Sequence, residues 1–288
     1  MTPRDQAAIA ALRVKAYELR CEVIDMIHRG GSGHPGGSLS AAEIVAALYW
    51  HVLRVDPSRP DWEERDRLVL SKGHAAPIVY AALAHKGYFG REHLGTLRQI
   101  NSILQGHPDC RKTPGLDMTS GSLGQGLSVA LGMALGARQA GRDFQVYCLL
   151  SDGETQEGMV WEAAMAASHY RVGNLTAIVD YNNLQVDGRI AEVMGLEPYR
   201  EKWQAFGWTV RELDGHDVGA LLEAFAWRRD PANRERPVVL VCRTVKGKGV
   251  SYMEDVMEWH ASPISREQRD QAIAELEAVL VRLRQGAG

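Results

Sequence analysis

Apolar residues return every three or four positions over 4–29, where Ile9, Leu12, Ala16, Leu19, Val23 and Ile27 form one stripe. This spacing predicts an α-helix. Further along, the period shortens to unbroken apolar runs. RLVL (67–70), VYCLL (146–150), LTAIVDY (175–181) and PVVLVCRTV (237–245) read as buried strands, and WTVREL (208–213) is strand-like. Helical patterns separate them at 76–87, 127–141, 158–170, 198–206 and 217–229. Apolar strands alternating with helices predict an α/β fold, a parallel central sheet flanked by helices on both faces. Ligands in such sheets sit beyond the carboxyl ends of the strands. The chain is expected to be one domain over 1–288.

Two capping-box patterns punctuate this scheme. Ser40-Ala41-Ala42-Glu43 is expected to open a helix through AEIVAALYWHVL, after a glycine-rich loop GGSGHPGG at 30–37. Ser265-Arg266-Glu267-Gln268 is expected to open an amphipathic helix over about 265–285, with Ile273, Leu276, Leu280 and Leu283 on one stripe. Packing on its own domain is the expected use of that stripe; binding a partner is the alternative.

Composition narrows the class. A hydrophobic share of 45% suffices for a substantial core, and a net charge of −3 with dispersed Lys and Arg gives no polycationic face for nucleic acid. Cys21, Cys110, Cys148 and Cys242 are far apart in sequence, which argues for free thiols in a reducing cytoplasm. No apolar run approaches membrane-spanning length and the N-terminal segment lacks the pattern of a signal peptide, so a cytoplasmic protein off the membrane is expected.

Several stretches carry candidate chemistry. Gly31-Ser32-Gly33-His34-Pro35-Gly36 has the spacing of a dinucleotide fingerprint, yet a helix precedes it where a strand is required, so an NAD(P) oxidoreductase is rejected. Gly121-Ser122-Leu123-Gly124-Gln125-Gly126 opens a helix and can present amides to an anion. Val245-Lys246-Gly247-Lys248-Gly249 lacks the order of a P-loop. His34, His74, His107 and His260 each lie in a loop beside small residues, a pattern that points to one polar pocket.

Asp152-Gly153 and Asp180-Tyr181-Asn182-Asn183 follow successive strands, with Asp152 and Asn182 thirty positions apart. That separation is one helix and one strand, which sets both turns side by side on neighbouring parallel strands. Hard divalent cations take carboxylate, amide and carbonyl oxygens, and Asp152, Asn182 and the Leu184 carbonyl could supply them. Gly153 would let a phosphate approach the backbone. The dipole of the following helix accounts for Glu154 and Glu157.

The turn pair resembles the thiamine-diphosphate fingerprint. SGHPGGSLS, DRLVLSKGHA, GHPD, SGSLGQGLSVALGMALG, DGETQEGMVWEA, NLTAIVDYNNLQVDG and TVKGKGVSYMED all resemble transketolase, in order, over roughly residues 10–262. The resemblance implies that Asp152, Asn182 and the Leu184 carbonyl bind Mg²⁺ (or Ca²⁺). It places Gly153, His74 and His260 at the diphosphate of thiamine diphosphate and Gly121 and Leu123 along its ring system, with Glu154 also counted among the cofactor-binding residues. His34 and His107, with His260, would face the reacting centre, where they would handle protons or orient hydroxyls of the ketose. Glu157 and Glu162 match acids near the family's subunit contact. Two positions depart from the family: Ser151 and Ala261 stand where glycine is usual.

The family's second and third domains, with the glutamate that acts on the cofactor's aminopyrimidine and the basic grip on sugar phosphate, have no counterpart in these 288 residues. The resemblance thus implies the N-terminal subunit of a split transketolase. Its partner would be a separate chain carrying the pyrimidine-binding and C-terminal domains, in an α2β2 heterotetramer acting on sugar phosphates. The nearest alternative is another ketol transfer by the same machinery, with an unusual sugar, a sulfosugar or formaldehyde as substrate. A non-catalytic cofactor-binding or regulatory subunit is the alternative from another class.

Overall fold

The computed structural model describes residues 3–286. The long apolar stripe near the N-terminus forms α1 (Pro3–Gly30), followed by α2 (Pro35–Ser40) and α3 (Ala42–Ala47). Strand β1 (Arg67–Leu70) leads to α4 (Ala76–Lys86). After a long loop come α5 (Gln125–Gln139), β2 (Val146–Ser151), α6 (Gly158–His169) and β3 (Leu175–Tyr181). A small hairpin, β4 (Leu184–Gln185) and β5 (Gly188–Arg189), precedes α7 (Ile190–Val193) and α8 (Tyr199–Ala205). The chain closes with β6 (Thr209–Asp214), α9 (Val218–Arg229), β7 (Val238–Arg243) and α10 (Arg266–Gln285).

Five strands form one sheet in the order β1-β2-β3-β7-β6, with every neighbouring pair parallel. The apolar runs are long because both faces are covered. Leu149, Ile178 and Leu240 point into a core shared with α1, α3, α4 and α9. Their neighbours Cys148, Val179 and Val241 point into a second core with α5, α6 and α8, closed by Trp203 and Trp208. Period-two alternation therefore exists within each run, but both phases are apolar.

The last helix docks on its own domain. Ser265 and Gln268 make the reciprocal capping box, and Ala272, Leu276 and Leu280 are buried. Arg269 reaches Asp25 at 2.8 Å and Arg284 reaches Glu18 at 2.9 Å, both on α1.

Three expectations near the N-terminus need correction. The loop at 30–37 is shorter than expected, because Pro35 sits at the first position of α2, where its fixed φ suits a helix and its missing N–H costs nothing. Ser40 does not cap α3: Ala41 holds that position without a side-chain bond, and the Ser40 hydroxyl donates to Asp180. Glu43 instead takes the Arg20 guanidinium at 2.6 and 2.7 Å and His216 Nδ1 at 2.9 Å. A local motif has lost here to stronger long-range partners. The helix expected through 53 also changes after Ala47 to a wider π-type turn over Leu48–Val52.

Candidate active site

The carboxyl ends of four strands deliver the polar groups. Ser71, Lys72 and His74 follow β1, Asp152 follows β2, Asn182 and Leu184 follow β3, and Thr244 and Lys246 follow β7. The register pairs Ser151 with Asp180, which sets the Asp152 and Asn182 turns side by side.

At the centre lies Asp180, fully buried at the end of β3. Burial pushes its carboxyl up, but the Lys72 ammonium and the hydroxyls of Ser40 and Thr244 hold it below the ordinary aspartate range. Lys72, itself without exposure, also donates to the Gly37 carbonyl at 2.7 Å. Asn182 Nδ2 donates to Asp180 Oδ2 at 3.2 Å, which turns the amide oxygen of Asn182 away from that carboxylate.

Asp152 has no such cation. Its Oδ1 accepts from Gly153 N at 2.8 Å and its Oδ2 from Asn183 N at 2.5 Å. Burial and the neighbouring Asp180 raise its carboxyl to about 7. Lys246 Nζ lies 3.1 Å from the Leu184 carbonyl and 2.9 Å from His260 Nδ1, and burial lowers its ammonium to about 8. Among the described residues no three His, Cys, Asp or Glu side chains group as a metal centre. The oxygen set of one carboxylate, one amide and one carbonyl is the kind a hard cation uses when phosphate and water complete its shell. Asp152, short of positive charge, fits that role.

The four loop histidines do converge. His34 lies 5.4 Å from His74, 5.9 Å from His107 and 5.6 Å from His260, and His74 stacks on His260 at 5.1 Å between ring centroids. Close glycine contacts make this possible. A Cβ on Gly37 would lie 3.4 Å from His74 Nε2, and one on Gly121 would press on the His107 ring at 3.3 Å. A Cβ on Gly73 would meet Ser120 Oγ and Gly121 N at 2.7 and 2.8 Å. Gly73→Ala is therefore expected to cost about 1–3 kcal/mol in urea unfolding.

Burial, with nearby Arg98, His107 and Lys246, lowers His34 to about 4; burial, with Lys246, His34 and Lys72, lowers His260 to about 3. His74 and His107 are lowered as well, each first by burial. All four are neutral near pH 7, so each can donate one hydrogen bond and accept one. His34 Nδ1 is buried without a partner, an open valence facing a cluster built of donors and acceptors. The unfolded chain binds a proton at each of these positions from about pH 6.5 downward, whereas the folded chain resists. Their contribution to stability is full above pH 6.5 and is lost as pH falls toward 4 for His34 and 3 for His260. His260→Asn is expected to flatten the loss of stability between pH 6.5 and 5, read by urea unfolding at each pH.

Glu154 is placed otherwise than the helix-start reading supposed. It is buried, and its carboxylate accepts from the Ser71 hydroxyl, from Gly124 N at 2.9 Å and from Ser151 N at 3.2 Å. Gly124 caps α5, so this carboxylate stands at the positive end of that helix and ties three loops together. Gly121 and Leu123 lie on the same loop, with Leu123 exposed. Glu157 and Glu162 are both exposed on the α6 side. Neither departure from the family strains the backbone: Ser151 ends β2 in extended form, and Ala261 has φ −147°. Sequence reasoning missed Lys72, Asp180 and Lys246 as members of the site. An aspartate ending an otherwise apolar run was the available signal.

The chain matches the family model described as transketolase, thiamine diphosphate binding domain, over residues 11–277. It is 44% identical over 266 residues to the 6-deoxy-6-sulfo-D-fructose transketolase subunit SqwG of Clostridium sp. (strain MSTE9), covering 92% of this chain and 96% of that protein. It is 39% identical to an apulose-4-phosphate transketolase subunit of Phocaeicola vulgatus, covering 96% and 97% respectively. Against Homo sapiens transketolase the identity is 40%, over 94% of this chain but 43% of the longer protein. The crystal structure of Campylobacter jejuni transketolase superposes with a TM-score of 0.87 at 29% identity, covering 98% of this chain and 46% of that one. The chain thus spans under half the length of the single-chain transketolases, and it belongs to the transketolase family as that family's thiamine diphosphate-binding domain.

Proposed function

We propose that this chain is the cofactor-binding subunit of a two-chain transketolase, which moves a two-carbon ketol unit from a ketose phosphate to an aldose phosphate. The observation that carries this reading is the juxtaposition of the Asp152–Asn182–Leu184 oxygen set with four neutral histidines at one end of the sheet. In this reading Asp152, Asn182 and the Leu184 carbonyl hold Mg²⁺ (or Ca²⁺), and Gly153, His74, His260 and Lys246 receive the diphosphate. Gly121 and Leu123 line the cofactor's rings, while Glu154 acts through Gly124 and Ser71. When bound, thiamine diphosphate supplies the electron sink for carbon–carbon cleavage. His34 and His107 then orient sugar hydroxyls and carry protons, with His260 beside them.

Two matched relatives of nearly this length are named as subunits, which supports a separate partner carrying the remaining domains. An α2β2 assembly of the two chains is part of this proposal. The substrates in their names, a 6-deoxy-6-sulfofructose and apulose 4-phosphate, favour an unusual sugar as a second reading. Among the described residues no helix is long and apolar enough to cross a membrane, and the four cysteines are unpaired. We place the protein in the cytoplasm on that chemistry.

Titration calorimetry of thiamine diphosphate with Mg²⁺ and with EDTA tests the cofactor assignment. Saturable binding only with the metal is expected; equal binding in EDTA overturns the metal set. His107→Ala is expected to lower turnover with the partner about 100-fold while leaving cofactor affinity within about twofold. An unchanged rate contradicts its role.

A further inference from the structure

The opposite end of the sheet, at the amino ends of its strands, carries a second concentration of charge. Asp66, Gln145 and Asn174 immediately precede β1, β2 and β3, and they line a cavity of about 520 Å³. That volume lies within the range of small-molecule sites. The six residues of β2 separate it from Asp152 by about 20 Å.

Arginines dominate its walls. Arg54 pairs with Asp143 at 2.9 Å, and Arg142 pairs with Glu63 and Glu64. The remaining five, Arg138, Arg171, Arg228, Arg229 and Arg234, have no carboxylate within 4.0 Å among the described residues. Asp66, the acid lining the cavity without a guanidinium partner, spends its oxygens on the backbone amides of Arg54 and Gln145 at 2.9 Å each. The local balance is strongly positive although the whole chain is net −3.

Capping of helix ends explains part of this. Arg138 bonds the Tyr170 and Arg171 carbonyls at 2.6 and 3.2 Å, Arg229 the Val52 carbonyl, and Arg234 the Arg229 carbonyl at 2.9 Å. Those contacts use one or two of the five N–H groups each guanidinium carries. Arg228 is 3% exposed and bonds only neutral oxygens, those of Thr176, Asn233, Gly173 and Gln145. A buried cation with no counter-charge calls for an anion. Arg171 lies two residues past α6 at φ 49°, a left-handed position usually given to glycine, so a guanidinium is kept there at a backbone cost. Asn174 Oδ1 is a buried acceptor without a partner, which asks for a hydroxyl or amino donor.

We propose that this cavity binds a small organic molecule bearing two phosphate groups, a nucleoside diphosphate or a sugar bisphosphate, separately from the cofactor site. Five guanidiniums exceed what one phosphate can engage, and paired N–H forks suit phosphate oxygens. The Asn174 oxygen would take a hydroxyl or amino group of the organic part.

Calorimetric titration of the full chain with ADP and, separately, with fructose 1,6-bisphosphate in metal-free buffer tests this and tells the two sources apart. Saturable binding of one of them is expected, weakened at least tenfold in the exposed double variant Arg171→Glu/Arg234→Glu. The neutral variant Arg171→Gln/Arg234→Gln, with an unchanged circular dichroism spectrum, guards against a folding artefact and should also weaken binding. No saturable binding of either ligand, or wild-type affinity in both variants, overturns the proposal.

Discussion

Asp152→Asn is expected to stabilise the metal-free protein while abolishing its response to thiamine diphosphate and Mg²⁺. The folded carboxyl titrates at about 7 because burial and Asp180 oppose its charge, against an ordinary value of 3.8. A folded pKa above the unfolded one means stability is full below about pH 4 and is lost as pH rises to 7. At pH 8 the metal-free protein therefore carries a buried charge that Lys246, itself lowered to about 8, offsets only in part. Asn removes that charge but keeps an oxygen for only one of the Gly153 and Asn183 amides, its NH2 facing the other, so the metal-free Tm should rise by a smaller margin, roughly 2–3 °C. Wild-type protein should gain Tm with Mg²⁺ and thiamine diphosphate together; the variant should gain none, with cofactor affinity down at least about 100-fold. Retained cofactor response would remove Asp152 from the proposed metal set, and a fall in the metal-free Tm would contradict the cost assigned to its buried charge.

Lys72→Met is expected to give the largest loss of stability. Lys72 and Asp180 are both fully buried and bonded to each other, and their pairing closes the gap between β1 and β3 across the end of β2. Removing one partner of such a pair leaves a charge in the interior, which costs about 3–5 kcal/mol. Urea unfolding should show that loss. The double variant Lys72→Met/Asp180→Asn should recover most of it, because no charge is then stranded. A single variant as stable as wild type would show that Ser40 and Thr244 alone satisfy Asp180.

The sheet was legible because strands buried on both faces must be apolar throughout. The strand order was not, since β7 enters between β3 and β6 and apolar runs carry no address. The juxtaposition of the Asp152 and Asn182 turns was legible from their spacing, which is fixed by the length of a strand–helix unit. The buried lysines were not: in sequence, Lys72 and Lys246 look like solvated loop residues, and only the fold reveals their carboxylate and carbonyl partners. Ser40 and Glu43 fit a local capping rule and were claimed by distant groups, Asp180, Arg20 and His216. Glu154 had a sufficient local explanation, the helix dipole, yet serves a different helix, α5. In each of these cases a long-range partner outweighed a weak local preference.

If this chain holds half of an active site, ketol transfer must depend on a second chain. The decisive assay measures turnover with Mg²⁺ and thiamine diphosphate for the chain alone and after mixing with a chain carrying the pyrimidine-binding and C-terminal domains. No turnover is expected from either chain alone, and turnover that saturates near equimolar mixing is expected from the two together. Full turnover by the isolated chain, or none in the mixture, would refute the divided site.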